Sequence, residues 1–177
     1  MKATTAFLVG LLPAVLAAAP LAAAPVESVY SDISGTGCEQ IKLDEDHGSS
    51  HLRCPGVAGY RLDLFDWDAR MSLAVLAPDG KSHPLDFWLV ITWGFSSLGD
   101  KAEWRLAGGQ PIALIVRVNA SENAEDSSQI TSYLAVVKIT AEKICVTAKI
   151  PPSAEANQEA RAAADAAASK PCLAPPT

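Results

Sequence analysis

Residues 85–118 read LDFWLVITWGFSSLGDKAEWRLAGGQPIALIVRV, and the interpretation of this stretch decides the fold. It holds Phe87, Trp88, Trp93, Phe95 and Trp104, five of the eleven aromatic residues of the chain. Large rings bury the most apolar area per residue, so a chain sparing with aromatics that groups them places its core there. The stretch ends in the most regular alternation of the sequence, with Ile112, Leu114, Val116 and Val118 on one face and Arg117 on the other. A period of two is the mark of a half-buried strand. The pattern predicts core strands at 85–92 and 112–118. Between them lies an inner segment, 93–104, that is loop over 94–100 with Gly94 and Gly99 at its flexing points. A short strand, 103–106, is then turned by Gly108 and Gly109.

Towards the N-terminus the same punctuation recurs. Met71, Leu73 and Val75 alternate over 71–77, and Tyr60, Leu62 and Leu64 alternate over 60–66. The pair is joined by a turn around Trp67, and Pro78-Asp79-Gly80 closes the second strand with a residue that presets φ and one that tolerates positive φ. Residues 38–43 and 51–54 read as a weaker hairpin around an Asp-, Gly- and Ser-rich turn, and residues 26–34 as a short lead-in segment. Towards the C-terminus, 130–140 is a strand with Tyr133, Ala135, Val137 and Ile139 on one face. It forms a hairpin with 112–118 across a polar loop, 119–129, and 143–150 is the last strand. Pro151-Pro152 ends β structure. Residues 154–169, mostly Ala, Glu, Gln and Arg behind a Ser153 cap, read as a helix. Its face of Ala156, Ala160, Ala163 and Ala167 buries little area, so packing alone holds it weakly. Short strands at even spacing with one terminal helix fit a mainly β fold, an antiparallel β-sandwich or barrel-like sheet with one C-terminal α-helix.

Four cysteines, Cys38, Cys54, Cys145 and Cys172, read as two disulfides. Three connectivities exist. Cys38–Cys54 and Cys145–Cys172 are favoured because each closes a local segment; the second ties the helix back to the sheet and is expected to contribute about 3 kcal/mol by loop entropy. Residues 1–24 carry Lys2, an apolar run over 6–19 and the small residues Ala22, Ala23 and Ala24, the pattern of a secretory signal peptide cut around residues 19–24. The run is too short and alanine-rich for a convincing membrane span, so no stable span is expected in the mature form. The expected organisation is a signal peptide over 1–24, a β domain over 25–150, and a helix and tail over 151–177. The formal net charge is −6, without a basic cluster. That excludes a phosphate-neutralising nucleic-acid surface and disfavours anionic membranes.

The strings CPGVAGY (residues 54–60), GKSHPLDFW (80–88) and SSLGDKAEWR (96–105) together resemble a family of exported bacterial proteins without an assigned activity. The resemblance spans roughly residues 30–173. It implies an envelope or secreted location and carries no cofactor and no site.

Several residues invite chemistry. Asp44, Asp46, His47 and His51 mix carboxylates and imidazoles, the types that bind metals, although the Gly and Ser between the histidines argue for a turn. Asp66 and Asp68 open like a calcium loop whose later ligands are missing. Asp86 and Glu103 are acids among aromatics, and Ser96 with His83 offers a nucleophile and a base. That gives a hydrolase alternative without a G-x-S-x-G elbow. Trp93, Phe95, Leu98, Lys101 and Trp104 form the candidate binding segment, since Trp is enriched at interaction hot spots. The favoured expectation is a non-enzymatic exported protein, periplasmic or secreted, that binds an envelope or secreted protein partner, in one form as an inhibitor-like module. No cofactor is expected.

Overall fold

The structure, a computed structural model, describes residues 24–175. The targeting segment therefore lies outside the described residues, apart from Ala24. Ten strands form two five-stranded antiparallel sheets. The first sheet has the order β1 (Val26–Asp32), β7 (Phe95–Ala107), β8 (Gln110–Ser121), β9 (Ile130–Ile139) and β10 (Ile144–Ile150). The second runs in chain order through β2 (Glu39–Asp44), β3 (Ser49–Pro55), β4 (Arg61–Trp67), β5 (Met71–Leu76) and β6 (Ser82–Pro84). The sheets stack face to face as a sandwich, not a closed barrel. Leu62, Leu64, Leu73 and Val75 from one sheet and Trp104, Leu114, Val116, Val118 and Val137 from the other form the shared core. Alternation produces this directly: each of these residues falls on the inward phase of its strand.

A helix, α2 (Ala156–Asp165), covers the outer face of the first sheet, continued by a single 3-10 turn, Ala167–Ser169. Ala160, Ala164 and Ala167 pack on Ala113, Ile115, Leu134 and Val136. The middle of β8 and β9 is therefore buried on both faces, which explains the continuous apolar run ALIV at 113–116. The helix starts later than Ser153 suggests, with Glu155 at the N-cap.

Two disulfides close the local segments, Cys38–Cys54 with Cα atoms 4.2 Å apart and Cys145–Cys172 with Cα atoms 5.7 Å apart. Two charged clasps reinforce the second. Arg105 grips Asp165 through two parallel hydrogen bonds, Nε–Oδ1 at 2.7 Å and Nη2–Oδ2 at 2.8 Å. Arg161 donates to Glu103 from Nε at 2.6 Å. Bidentate guanidinium–carboxylate pairs fix orientation as well as adding energy, so a helix with only alanines to bury is held by ion pairs and a covalent tie.

Two segments depart from the sequence-based expectation. Residues 85–92 are not a core strand. Asp86 takes a left-handed conformation (φ 47) and breaks the extended run, and Phe87–Val90 form one helical turn, α1. Phe87 and Ile91 are both buried. They are four apart, a helical spacing that a short apolar run does not distinguish from a strand. Of the expected loop over 94–100, residues 95–100 are the beginning of β7, paired with β8 from Phe95↔Ser121 onward. The register shifts between Leu98 and Ala102, and this bulge absorbs the polar residues that suggested a loop. Gly99 sits in it because a Cβ there would lie 2.9 Å from the Cβ of Arg117. Most of residues 26–34, expected as a lead-in, form edge strand β1, registered on β7 from Val26↔Ala107 to Asp32↔Lys101.

Candidate binding surface

The sandwich displays aromatic rings at one end. After α1, Thr92 is buried and its Oγ1 accepts the Gly94 amide at 3.2 Å. Gly94 presses its backbone onto the Ser121 carbonyl, where a Cβ would collide. The chain is pinned on both sides of Trp93, whose ring is left 65% exposed. Phe95, the first residue of β7, is 48% exposed. The Arg70 guanidinium stands over its ring, 4.7 Å from the centroid, a cation–π arrangement that holds the ring in place. The turn between β4 and β5 is clamped to this corner: Ser96 donates its amide to Ala69 O at 2.8 Å. Asp68 and Ala69 both take positive φ in that turn, so the chain doubles back tightly.

Trp93, Phe95 and Arg70 form one wall of an open cleft of about 650 Å³. Glu122 and Lys149 line the same cleft. Tyr133 donates its hydroxyl to Glu122 at 2.6 Å, and Lys149 Nζ lies 3.7 Å from Glu122 and 3.7 Å over the Tyr133 ring. Burial raises the Glu122 carboxyl, but the hydrogen bonds from Tyr133 and Thr92 and the Lys149 charge outweigh it and hold the group below its usual value. The cleft thus pairs an apolar, aromatic wall with a charged, hydrogen-bonded one.

The five candidate binding residues separate. Trp93 and Phe95 line this cleft. Leu98 packs partly on the core and, with Lys101, lines a different cleft of about 490 Å³ beside Tyr30 and Glu103. Trp104 is no part of any exposed face: it is 0% exposed, its Nε1 donates to Ser31 Oγ at 2.9 Å, and the Tyr60 ring lies 6.1 Å away. Ala102, Trp104 and Leu106 continue the inward phase that Leu98 already holds before the bulge in β7.

The metal candidates also separate. Asp44 Oδ1 accepts the His47 amide at 3.2 Å and faces its Nδ1 at 2.9 Å, closing the β2–β3 turn. His51 lies in β3, stacked on Phe65 at 4.4 Å with Nε2 3.3 Å from Asp63 Oδ2. Asp46 stays exposed in the turn. Among the described residues no three such side chains come together to hold a metal ion. Of the calcium-like opening, Asp68 is engaged by Arg70 at 3.2 Å, and Asp66 Oδ1 is buried without a hydrogen-bond partner among the described residues.

Glu103, Asp86, Ser96 and His83 do not share a cleft. Glu103 faces α2, where burial raises its carboxyl and the hydrogen bonds from Arg161 and Ser28 lower it further, for a net depression. A carboxylate so held does not deliver a proton near neutral pH. Asp86 lines a groove on the other sheet, and His83 pairs with Val75 on edge strand β6. Ser96 Oγ is buried without a hydrogen-bond partner. The residues that sequence reasoning missed are Arg70, which links two aromatic clusters, and the Glu122–Tyr133–Lys149 wall. Arg70 looked like an ordinary turn residue, and Glu122, Tyr133 and Lys149 come from the loop after β8, from β9 and from β10.

No protein-family model, curated protein or solved structure matches the chain. The functional reading therefore rests on this geometry.

Proposed function

We propose that this is a non-catalytic binding protein that takes a protein partner on the cleft walled by Trp93, Phe95 and Arg70. The observation that carries the reading is the exposure of Trp93 and Phe95 on a pinned backbone. Large rings held out into water by a rigid scaffold lose little conformational entropy on binding and act as anchors. The Glu122–Lys149 pair, which lines the same cleft, supplies the polar rim such an interface needs.

The setting is export, to the periplasm or beyond the cell, where two disulfides persist. The resemblance of the strings at 54–60, 80–88 and 96–105 to exported bacterial proteins supports an envelope or secreted partner. An inhibitor-like action, with the partner a secreted hydrolase, is one form of the same reading.

The test is affinity capture from a native envelope fraction by the oxidised protein and by its Trp93→Ala and Phe95→Ala variants. The reading expects a partner retained by the wild type and lost, by about tenfold or more in affinity, from both variants, as truncation of an interface anchor predicts. A partner retained equally by all three proteins contradicts it.

A further inference from the structure

The outer face of the second sheet carries a separate aromatic groove, and the geometry points to a binding site for the pyranose rings of a neutral glycan. This goes beyond the protein-partner reading, because the groove and the cleft have only Arg70 in common. Alternation along β4 sends Leu62 and Leu64 into the core and turns Phe65 and Trp67 to the other face. Phe65 lies opposite His51 on β3 and Ser72 on β5. The His51 ring stacks on it at 4.4 Å and Trp67 meets it edge-on at 6.3 Å. The left-handed Asp86 swings the chain out of β6, so that Pro84 and Trp88 form the facing wall. The groove holds about 190 Å³ over a floor of Ser72 and Leu73. Trp67 is 63% and Trp88 43% exposed.

The rim decides the class of ligand. A pyranose has apolar, nearly flat C–H faces and an edge of hydroxyls that both donate and accept. The indoles match the faces. Asp86 can only accept, and it makes no capping hydrogen bond to α1. Arg70 can only donate. Asp68 engages its Nη1 at 3.2 Å, and Nε and Nη2 have no protein acceptor among the described residues. Ser72 Oγ accepts the Phe87 amide at 3.1 Å and keeps its own proton to donate. The Arg70 charge is already met by Asp68, so Asp86 alone sets the charge that a ligand in the groove faces. An aromatic cage for a quaternary ammonium has no use for the guanidinium, and an acidic sugar meets Asp86.

The experiment is calorimetric titration of the oxidised protein with cellotetraose, chitotetraose, maltotetraose and tetramethylammonium. At least one oligosaccharide is expected to bind saturably. Trp67→Ala and Trp88→Ala are each expected to weaken it about tenfold, the loss of one stacked ring. Asp86→Asn, a surface change that leaves every ring in place, is expected to weaken it as well. Trp93→Ala, on the separate cleft, is expected to leave it unchanged, so failure here and failure of the protein-partner reading are distinguishable. Absence of saturable binding by all three sugars at millimolar concentration overturns the inference. So does sugar binding indifferent to all three groove substitutions, or tighter binding of tetramethylammonium than of any sugar.

Discussion

The indole of Trp104 fills the centre of the sandwich and spends its only polar atom on Ser31 Oγ, 2.9 Å away. Trp104→Ala is expected to lower stability by about 3–5 kcal/mol, the cost of emptying a large aromatic site in a packed core. Trp104→Phe should cost less, since it loses the hydrogen bond but keeps most of the volume. Urea unfolding followed by circular dichroism measures both, and a Trp104→Ala protein as stable as the wild type contradicts the placement. Glu103 makes a pH prediction at the same scale. Its folded-state carboxyl is depressed, so the unfolded chain takes up a proton first, near the ordinary value of about 4.3. The stabilisation is complete above that value and is lost as pH falls through the lower folded-state value. Asp63, also depressed, adds in the same direction. Glu103→Gln should therefore flatten the acid limb of a stability–pH curve. An unchanged acid limb argues against the clasp to Arg161. Sequence alone placed Trp104 beside a loop over 94–100; with those residues drawn into β7, Trp104 shares the inward phase of Leu98, Ala102 and Leu106.

Helix α2 is the element whose attachment can be taken apart. It buries only Ala160 and Ala164, with Ala167 just beyond, and depends on Cys145–Cys172 and on the Arg105–Asp165 and Arg161–Glu103 pairs. Replacing both Cys145 and Cys172 by Ser should cost about 3–4 kcal/mol by the chain-entropy model for a loop of this length. The loss should be local, with amide exchange accelerating over residues 156–169 while β8 and β9 keep their protection. Uniform acceleration across the sheet would place the helix inside the cooperative core instead. The alanine face, the cysteine pairing and the two Pro that end β10 were all legible, because each follows from local chemistry. The docking site was not, since it needs partners some sixty residues upstream on β7. The helical turn α1 reads as a strand for a related reason: LDFWLVIT satisfies both periods, and the hydrogen bond from the Phe87 amide to Ser72 is a tertiary contact.

For the whole molecule, the antiparallel β fold, most inward residues of its strands and the presence of a terminal helix were readable from period-two patterning and turn chemistry. The binding surface was readable only in part. Trp93 and Phe95 lie within the aromatic run that first drew notice, but the Arg70 turn and the Glu122–Tyr133–Lys149 wall come from distant strands that only the folded topology brings to one end. The central claim is that this end is where a partner docks, and side-chain oxidation by hydroxyl radicals tests it most directly. The account predicts that, in the captured complex, Trp93 and Phe95 lose reactivity several-fold relative to the free oxidised protein, while Tyr30 and Leu173, exposed elsewhere, react as before. Protection centred on residues 156–173, with Trp93 and Phe95 as reactive as in the free protein, would contradict it.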